Sequence, residues 1–343
     1  MKGRENPSGV VNQNISLHNS DIPILESAEE QSCEYCGDKL SGNQVDCLRV
    51  GFININGIPD SNTHEKNHSL YKAMMKMDPD VVGLAEVNQH WQAISSDHHW
   101  RHRTLSWWET SHSTIAYNIK DVKTSSSFQP GGVILQSINK AAHRIIESGR
   151  DPSGLGRWSW TLYRGKHNMT LRVICAYRPC IPSSAGVQTT FVQHQRVFNA
   201  QGLDRNPRQA ILDDLGVAIH QWQEEGDQIV LLMDCNADVK GSEIQDWIHN
   251  LELSDSITSR HSLEDHTATY QCGNNIIDGI FTSHSIEIKQ CGYLPFGFFP
   301  SDHRGLWIDI NYHKVFGFIT DMLVRPNARR LKTNDPHVVT KWQ

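Results

Sequence analysis

Six short runs of aliphatic and β-branched residues constrain the fold of this chain more than any other feature of its sequence. Each run is five to seven residues long and is bounded by turn-forming residues, a pattern typical of buried β-strands. The predicted strands span residues 48–54, 81–85, 132–136, 171–177, 228–234 and 306–310. A chain with this pattern is expected to build its core from β-sheets.

Two amphipathic helices accompany the strands. The first is predicted between residues 65 and 78, just before Pro79. The second ends before Gly226, and its apolar face consists of Ile211, Leu215, Ile219 and Trp222. Both helices lead directly into a strand, whereas in the middle of the chain strand follows strand. We therefore predict an α/β fold in which packed sheets carry helices on the outside.

The two ends of the chain lack this pattern. Residues 1–46 are rich in Ser, Asn, Glu and Gly and have few large apolar groups, so we expect a disordered polar tail. Beyond Tyr312 the apolar pattern fades, and Arg329, Arg330 and Lys332 mark residues 313–343 as a basic C-terminal extension. The folded domain is predicted over residues 47–312.

Charge and cysteine content exclude several protein classes. The formal net charge of -6 argues against a surface that is basic throughout, but it leaves open a basic face inside a groove. Eight cysteines are scattered through 343 residues, which is typical of reduced thiols rather than of a disulfide framework. No apolar run approaches the ~20 residues that a membrane helix needs. We expect a soluble intracellular protein, and a nuclear location is compatible with these features.

One feature of the N-terminal segment points to metal binding. Cys33 and Cys36 have the spacing of half a zinc site, and Cys47 and His18 are the nearby residues that would complete it. An isolated pair of this kind is more often two ordinary thiols. Metal binding by this pair therefore stays open.

Polar side chains stand where three of the predicted strands end. They are Asn54 and Asn56, then Glu86, then Asp234 and Asn236. Side chains at such positions emerge from the core toward a shared edge, which is typical of a functional site. Each also has a simpler interpretation: the two asparagines as turn residues, the glutamate as an exposed strand end, and the Asp-x-Asn pair as an Asx turn.

A further carboxylate and a histidine occur later in the chain. Asp278 is predicted in the middle of an apolar strand, where an unpaired carboxylate would be costly. Asp302 and His303 follow, and an imidazole is a suitable partner because a hydrogen-bonded carboxylate fixes its tautomer and raises its basicity. Taken alone, the Asp302-His303 pair is more often a loop or helix-cap feature.

The order of these residues is Asn, Glu, Tyr, Asp-x-Asn, Asp and then Ser-Asp-His. In this order the chain resembles the endonuclease/exonuclease/phosphatase (DNase I-like) superfamily, over roughly residues 47–312. The resemblance implies a two-sheet β-sandwich core flanked by helices, which is a four-layer α/β sandwich, and a metal-dependent phosphodiesterase. Two departures, the residues 275–277 before Asp278 and Gly279 after it, remove no catalytic group.

The resemblance also implies a metal site. Glu86 would be the principal ligand, with Asn54 and Asp302 beside it, and the ion would be Mg²⁺, with Mn²⁺ as a substitute. Magnesium suits this set because it prefers oxygen ligands and needs only one or two protein carboxylates. Zinc is a poor alternative, since the site lacks clustered histidines and contains no cysteine ligand.

The remaining matching residues are implied to be catalytic. Asp234 would position or deprotonate the attacking water, and Asn236 and His303 would bind the phosphate oxygens. Tyr177 would stabilise the developing charge, and Asp278 would orient the histidine. The expected reaction is hydrolysis of a phosphodiester by in-line attack of water.

The substrate is less determined than the chemistry, because this superfamily acts on DNA, RNA, phosphoinositides and sphingolipids. Tyr177-Arg178-Pro179 and residues 328–336 resemble segments of endonucleases from non-LTR retroelements, and no Tyr-x-Asp-Asp reverse-transcriptase signature is present. We therefore expect a standalone or truncated monomeric catalytic domain with DNA as its partner, of retroelement or abasic-site type. The alternatives are an inositol phosphatase, a sphingomyelin-type lipid phosphodiesterase and an inactive binding module.

Four residues are expected to contact the substrate: Asn56, Arg178, Trp107 and Trp108. The two tryptophans belong to residues 100–108, where aromatic and basic side chains alternate and would stack on bases and meet phosphates. The alternative for this segment is packed aromatics beside a solvated basic flank. A similar segment around Trp158 and Trp160 is predicted as a strand with packed tryptophans.

Overall fold

Two β-sheets form the core of the protein. The computed structural model describes residues 35–61, 63–120, 126–182, 188–262 and 267–318. In chain order the strands are β1 (Cys36–Gly37), β2 (Cys47–Asn54), β3 (Val81–Ala85), β4 (Ser111–Ala116), β5 (Val133–Ile138), β6 (Ile145–Arg150), β7 (Trp158–Arg164), β8 (Thr170–Tyr177), β9 (Asp227–Asp234), β10 (Leu253–Asp255), β11 (Asp278–Ser283), β12 (Ile288–Tyr293) and β13 (Leu306–Asn311).

Each sheet contains one parallel pair of strands among antiparallel neighbours. The first sheet has seven strands in the order β1-β12-β13-β2-β3-β5-β4, and the second has six in the order β10-β11-β9-β8-β7-β6. The parallel pairs are β2 with β3 and β8 with β9. A parallel pair needs a crossover connection, which is usually a helix. The two helices that were predicted from the sequence supply these crossovers.

Seven α-helices occur in the described ranges: α1 (Glu65–Met77), α2 (Trp100–Thr104), α3 (Asn139–Ala142), α4 (Thr190–Ala200), α5 (Pro207–Glu224), α6 (Ser242–Asn250) and α7 (Tyr312–Phe316). Helix α1 ends at Asp78, whose left-handed backbone (φ 50°) breaks the helix just before Pro79. Helix α5 begins after Asn206, whose side chain accepts a hydrogen bond from the Arg208 backbone N–H.

The elements pack in four layers. Phe52 of β2 belongs to the core cluster that contains residues of both sheets, whereas its neighbour Ile53 packs in the cluster with Met74 of α1. On the other side, Ile211 and Leu215 of α5 pack against the second sheet. The order is helix, sheet, sheet, helix, because each sheet buries one face against the other sheet and one against helices. The predicted four-layer α/β sandwich is confirmed.

The six predicted strands and both predicted helices are present, and the ends of the strands and of the first helix agree with the prediction to within two residues. The segment around Trp158 forms β7, as expected. The strands that were not predicted are β1, β4, β6, β10 and β12. Four of these are edge strands, which need no continuous apolar run because one side lies open.

Ordered residues lie on both sides of the predicted domain boundaries. Before residue 47, β1 pairs with β12 although its residues were assigned to the polar tail. After residue 312, helix α7 buries Val315 and Phe316 in the core. A two-residue strand and a five-residue helix are too short to produce a recognisable apolar period.

No helix in the described part of the chain combines the length and apolar character that a bilayer crossing requires.

Candidate active site

The ends of several strands meet at one edge of the two-sheet core. Strand β2 ends at Asn54, and the parallel strands β8 and β9 end side by side at Tyr177 and Asp234. Asn54 Nδ2 donates to Asp234 Oδ2 at 2.7 Å and so connects the two sheets. Strand β11 runs antiparallel to β9 and begins at Asp278, opposite Asp234. Asp278 is therefore the first residue of its strand and not, as predicted, in the middle of it.

Two of these strand ends form Asx turns. Asn54 Oδ1 accepts a hydrogen bond from the Asn56 backbone N–H at 3.0 Å, and Asp234 Oδ1 accepts one from the Asn236 backbone N–H at 2.8 Å. Asn56 and Asn236 have left-handed backbones, with φ of 47° and 46°. Each turn uses one lone pair of a side-chain oxygen, and an amide or carboxylate oxygen has a second lone pair that can face the site. The turn interpretation and the site interpretation of these residues are thus compatible.

Glu86 leaves the end of β3 through a left-handed backbone with φ of 48°. This conformation is strained for glutamate, and such strain is typical of functional positions. The Tyr177 hydroxyl donates a hydrogen bond to Glu86 Oε1. Burial raises the pKa of Glu86 and Asp302 raises it further, while Tyr177, His303 and Asn54 lower it. Glu86, at the end of a first-sheet strand, therefore interacts with Tyr177 of the second sheet as well as with His303 and Asp302.

Asp278 and His303 form a buried pair. Asp278 Oδ2 lies 2.8 Å from His303 Nδ1, and the two side chains are 0% and 8% exposed. Burial by itself would lower the pKa of His303, but Asp278, Asp234 and Asp302 raise it to about 9. At neutral pH the ring is therefore an imidazolium, which donates from Nδ1 to Asp278 and keeps Nε2–H as a second donor.

The segment before β13 carries Asp302 to the same edge. Asp302 Oδ2 accepts a hydrogen bond from Asn56 Nδ2 at 3.1 Å. Ser301 Oγ donates to the Asn54 carbonyl at 2.5 Å, and the Asp302 carbonyl accepts from the Gln271 backbone N–H at 2.8 Å. Ser301 was not among the predicted site residues, although it belongs to the Ser-Asp-His run. Its contact fixes the loop beside the end of β2.

Several carboxylates crowd around one imidazole at this edge. Burial raises the pKa of Asp234 well above its usual value, and the neighbouring Asp278 and Glu86 raise it further. The buried Asp278 Oδ1 has no hydrogen-bond partner among the described residues. A bound cation would relieve the crowding of negative charge around Asp234 and Glu86, because it supplies positive charge. The residues present therefore fit a cation with oxygen ligands.

Two sets of residues are candidates to hold this cation. Ligand atoms of Asp234, Asp278 and His303 lie within 4.8 Å of one another. In that set, however, the imidazole Nδ1 is already hydrogen-bonded to Asp278 Oδ2 at 2.8 Å. We therefore favour the predicted set of Asn54, Glu86 and Asp302, whose carboxylate and amide oxygens suit magnesium.

Arg178 lies inside the protein and not on the substrate side. The residue is 1% exposed, and its guanidinium forms an ion pair with Glu243 of α6. It also donates to the Arg208 carbonyl at 3.1 Å and to the Cys235 carbonyl at 3.4 Å. The expected substrate contact is thus corrected: Arg178 fixes the loops that follow β8 and β9.

Trp107 and Trp108 lie in the outer helical layer. Trp108 is 9% exposed, and Trp107 packs against Tyr71 and Trp100 with ring centroids 5.3 Å and 5.4 Å apart. Trp108 belongs to the cluster between the first sheet and α1, and the partly exposed Trp107 packs against it. This packing favours the alternative of packed aromatics over stacking on bases.

Asn56 is the substrate-contact candidate that does lie at the site, where it is exposed and bonded to Asp302. It lines a groove of about 370 Å³ together with Lys66, Asn88 and Phe128. Lys66 Nζ donates to the Ile55 and Asn56 carbonyls at 2.8 Å, and Phe128 is 53% exposed. The sequence offered no signal for Lys66, Asn88 and Phe128, because these residues come from separate segments that only the fold brings together.

No family model and no curated protein sequence matches this chain. Solved structures do match it. The human Nocturnin catalytic domain with bound sulfate is 15% identical, with a TM-score of 0.54 over 82% of this chain and 97% of that domain. The Xenopus laevis APE2 catalytic domain is 14% identical, with a TM-score of 0.55 over 80% of this chain and 94% of that one.

The AP endonuclease LMAP from Leishmania major is 11% identical, with a TM-score of 0.57 over 78% of this chain and 88% of that one. An endonuclease/exonuclease/phosphatase family protein from Bacteroides thetaiotaomicron is 13% identical, with a TM-score of 0.51. Likeness at this level of identity establishes a shared fold. The predicted resemblance to the DNase I-like fold is therefore confirmed.

Proposed function

We propose that this chain, which has the endonuclease/exonuclease/phosphatase fold, is a metal-dependent phosphodiesterase that cleaves DNA. The observation that carries the proposal is the cluster of carboxylates from both sheets around one buried imidazolium. Burial and the neighbouring carboxylates Asp278 and Glu86 raise the pKa of Asp234, and the positive charge of His303 lowers the pKa of both Asp234 and Glu86. Phosphodiester hydrolysis needs both a cation site and a donor for the phosphate oxygens, and this edge of the sheets offers both.

Mg²⁺ is the metal we propose, with Mn²⁺ as a substitute, held by Glu86, Asn54 and Asp302. When bound, it neutralises charge that develops on the phosphoryl group. The chain's own residues do the rest. Tyr177 orients Glu86 through its hydroxyl, which stays protonated because burial, Glu86 and Asp234 raise the pKa of Tyr177 well above 10.

The catalytic steps are assigned to three side chains. Asp234 positions the attacking water and accepts its proton. His303 donates from Nε2 to a phosphate oxygen, and Asp278 holds the ring in place. Asn236 assists through its Oδ1, which is left for the attacking water or for the water shell of the metal. Its Nδ2 is already used, because it donates to the Arg178 carbonyl at 2.7 Å.

DNA is proposed as the substrate on two grounds. Solved structures with this fold include AP endonucleases from Leishmania major and Archaeoglobus fulgidus. The groove that Asn56 shares with the site has amide donors and the exposed ring of Phe128 along it. A polar groove with an exposed aromatic suits a nucleic-acid strand, because bases stack on aromatic rings while phosphates follow polar donors.

Cleavage of supercoiled plasmid tests the proposal. The protein is expected to nick the plasmid in Mg²⁺ or Mn²⁺ and to stop when EDTA is added. Glu86→Gln removes ligand charge at nearly constant shape, so calorimetric titration should show weaker Mg²⁺ binding and nicking should fall with it. Release of phosphate from inositol phosphates without nicking at any salt concentration would replace the DNA assignment. Absence of every phosphoester activity would favour a binding module.

Asp278→Asn is expected to lower turnover by about 10²-fold, the smaller loss typical of an acid–base group, without weakening Mg²⁺ binding. Asp278 is among the groups that raise the pKa of His303 to about 9, so its removal lowers that pKa. Because the imidazolium is the proposed donor, activity falls as the pH rises through the pKa of His303. In Asp278→Asn this fall should occur at a lower pH than in the wild type. A pH–rate profile measures this shift, and an unshifted profile with weakened Mg²⁺ binding would contradict the role.

A further inference from the structure

A second group of potential metal ligands lies outside the candidate active site, where β1, β12 and the segment after β10 meet. Asp38 follows β1, Cys291 belongs to β12, and His261 follows β10 by six residues. One potential ligand atom from each of Asp38, His261 and Cys291 lies within 4.8 Å of the other two. The three side chains are thus arranged around a common point.

The backbone holds two of these side chains in place. The Asp38 N–H donates to the Cys291 carbonyl at 2.9 Å, and the Cys291 N–H donates to Asp38 Oδ2 at 3.0 Å. Gly37 has a left-handed backbone with φ of 89°, and a Cβ there would lie 3.1 Å from His261 Cδ2. Glycine at this position therefore lets the imidazole approach β1 closely.

The imidazole nitrogen at the centre of the group has no hydrogen bond. His261 Nε2 is buried without a hydrogen-bond partner among the described residues, and it lies 3.4 Å from Asp38 Oδ2. That separation exceeds the usual N–H···O range. Zinc–nitrogen and zinc–oxygen bonds of about 2.1 Å in a tetrahedral site place two ligand atoms about 3.4 Å apart. The spacing fits a metal between the two atoms.

An ion pair between His261 and Asp38 is the simpler interpretation. This ion pair does not explain why the three side chains converge, because Asp38 Oδ2 already has a positive partner in Arg260, whose Nε lies 3.5 Å away. The buried Cys291 thiol donates to the Ser256 carbonyl at 3.3 Å, and metal binding would replace this hydrogen bond with a zinc–sulfur bond. One thiol, one imidazole and one carboxylate are together the mixed ligand set that zinc accepts.

We propose that Asp38, His261 and Cys291 bind a structural zinc ion, with water in the fourth position. On binding, the Cys291 S–H bond breaks, its proton passes to solvent and a zinc–sulfur bond forms. The carboxylate and the neutral imidazole each supply a lone pair. The ion connects three segments that are far apart in the sequence, and it fastens the two-residue strand β1 to the sheet.

This site differs from the half-site suggested by the sequence. Of its predicted members, Cys33 and His18 lie outside the described residues. Cys36 lies in β1 and packs against the core, while Cys47 is buried in β2. Zinc bound only through Cys33 and Cys36 is a competing outcome, and it is separable because it does not require His261 or Cys291.

Metal analysis of the purified full chain tests the proposal. After incubation with Zn²⁺ and removal of the excess, we expect one zinc per chain in the wild type and in the control Cys47→Ser. His261→Ala and Cys291→Ser should lose it. Asp38→Asn preserves the side-chain shape but removes the charge of a proposed ligand. It should weaken zinc binding by more than about 10-fold, because the loss of a residue that only supports a metal ligand already weakens binding by at least that factor. Wild-type protein without zinc would overturn the proposal.

Cobalt substitution separates this site from the proposed magnesium site. Co²⁺ bound to a thiolate gives a near-ultraviolet sulfur-to-cobalt charge-transfer band, whereas none of the proposed magnesium ligands Asn54, Glu86 and Asp302 is a thiolate. We expect the band in the wild type and in Glu86→Gln, and its loss in Cys291→Ser. Circular dichroism of each variant verifies that it is folded. A band that persists in both Cys291→Ser and His261→Ala would overturn the proposal, whatever the outcome of the plasmid assay.

Discussion

Replacing His303 with alanine is expected to slow DNA cleavage by about 10²- to 10⁴-fold, the range typical of a lost acid–base group. His303 is 7% exposed, and its pKa is about 9 because nearby carboxylates outweigh the effect of burial. Its imidazolium is thus charged at neutral pH and is the proposed donor to the phosphate. The change removes this donor and leaves Asp278 buried without its partner.

The cleavage rate of supercoiled plasmid at saturating Mg²⁺ measures the effect. His249→Ala is the matched control, because His249 is an exposed residue of α6 and lies outside the candidate site. We expect the control to cleave at the wild-type rate. If His303→Ala also cleaves at that rate while remaining folded, the active site lies elsewhere in the molecule.

Asp309→Ala is expected to lower the free energy of unfolding by about 3–5 kcal/mol, the effect of breaking a buried ion pair by removing one partner. Arg49 and Asp309 lie on the neighbouring strands β2 and β13, and their side chains are 0% and 1% exposed. Their two hydrogen bonds, Nε to Oδ1 at 2.8 Å and Nη2 to Oδ2 at 2.7 Å, form a bidentate pair. Without the carboxylate, the guanidinium stays buried and uncompensated.

Urea denaturation measures this loss. Lys289→Ala is the control, since it breaks the Lys289–Asp46 pair, whose side chains are 29% and 48% exposed. Exposed pairs contribute no more than about 1 kcal/mol, because water screens the charges. Equal losses in the two variants would mean that the guanidinium is compensated by its remaining bonds to the Ser41 and Met77 carbonyls.

Much of the fold was predictable because hydrophobic periodicity is a local property. Strands β2 and β3 are buried along their whole length, and β8 and β9 at all but one residue each, so their sequences carry a nearly continuous apolar signal. Edge strands such as β4, with the sequence Ser-His-Ser-Thr-Ile-Ala, carry no such signal. The strand-end positions of Asn54, Glu86 and Asp234 were readable for the same reason.

The sequence by itself thus determined the strand pattern, the two crossover helices and the order of polar residues at the strand ends. Only the tertiary structure decided that Arg178 pairs with Glu243, that Trp107 and Trp108 pack under α1, and that His261 faces Cys291. Burial and pairing depend on which segments become neighbours in space. That choice follows from how the strands pair and how the sheets and helices pack, which joins residues hundreds of positions apart, as in the pairing of Arg49 with Asp309 on neighbouring strands.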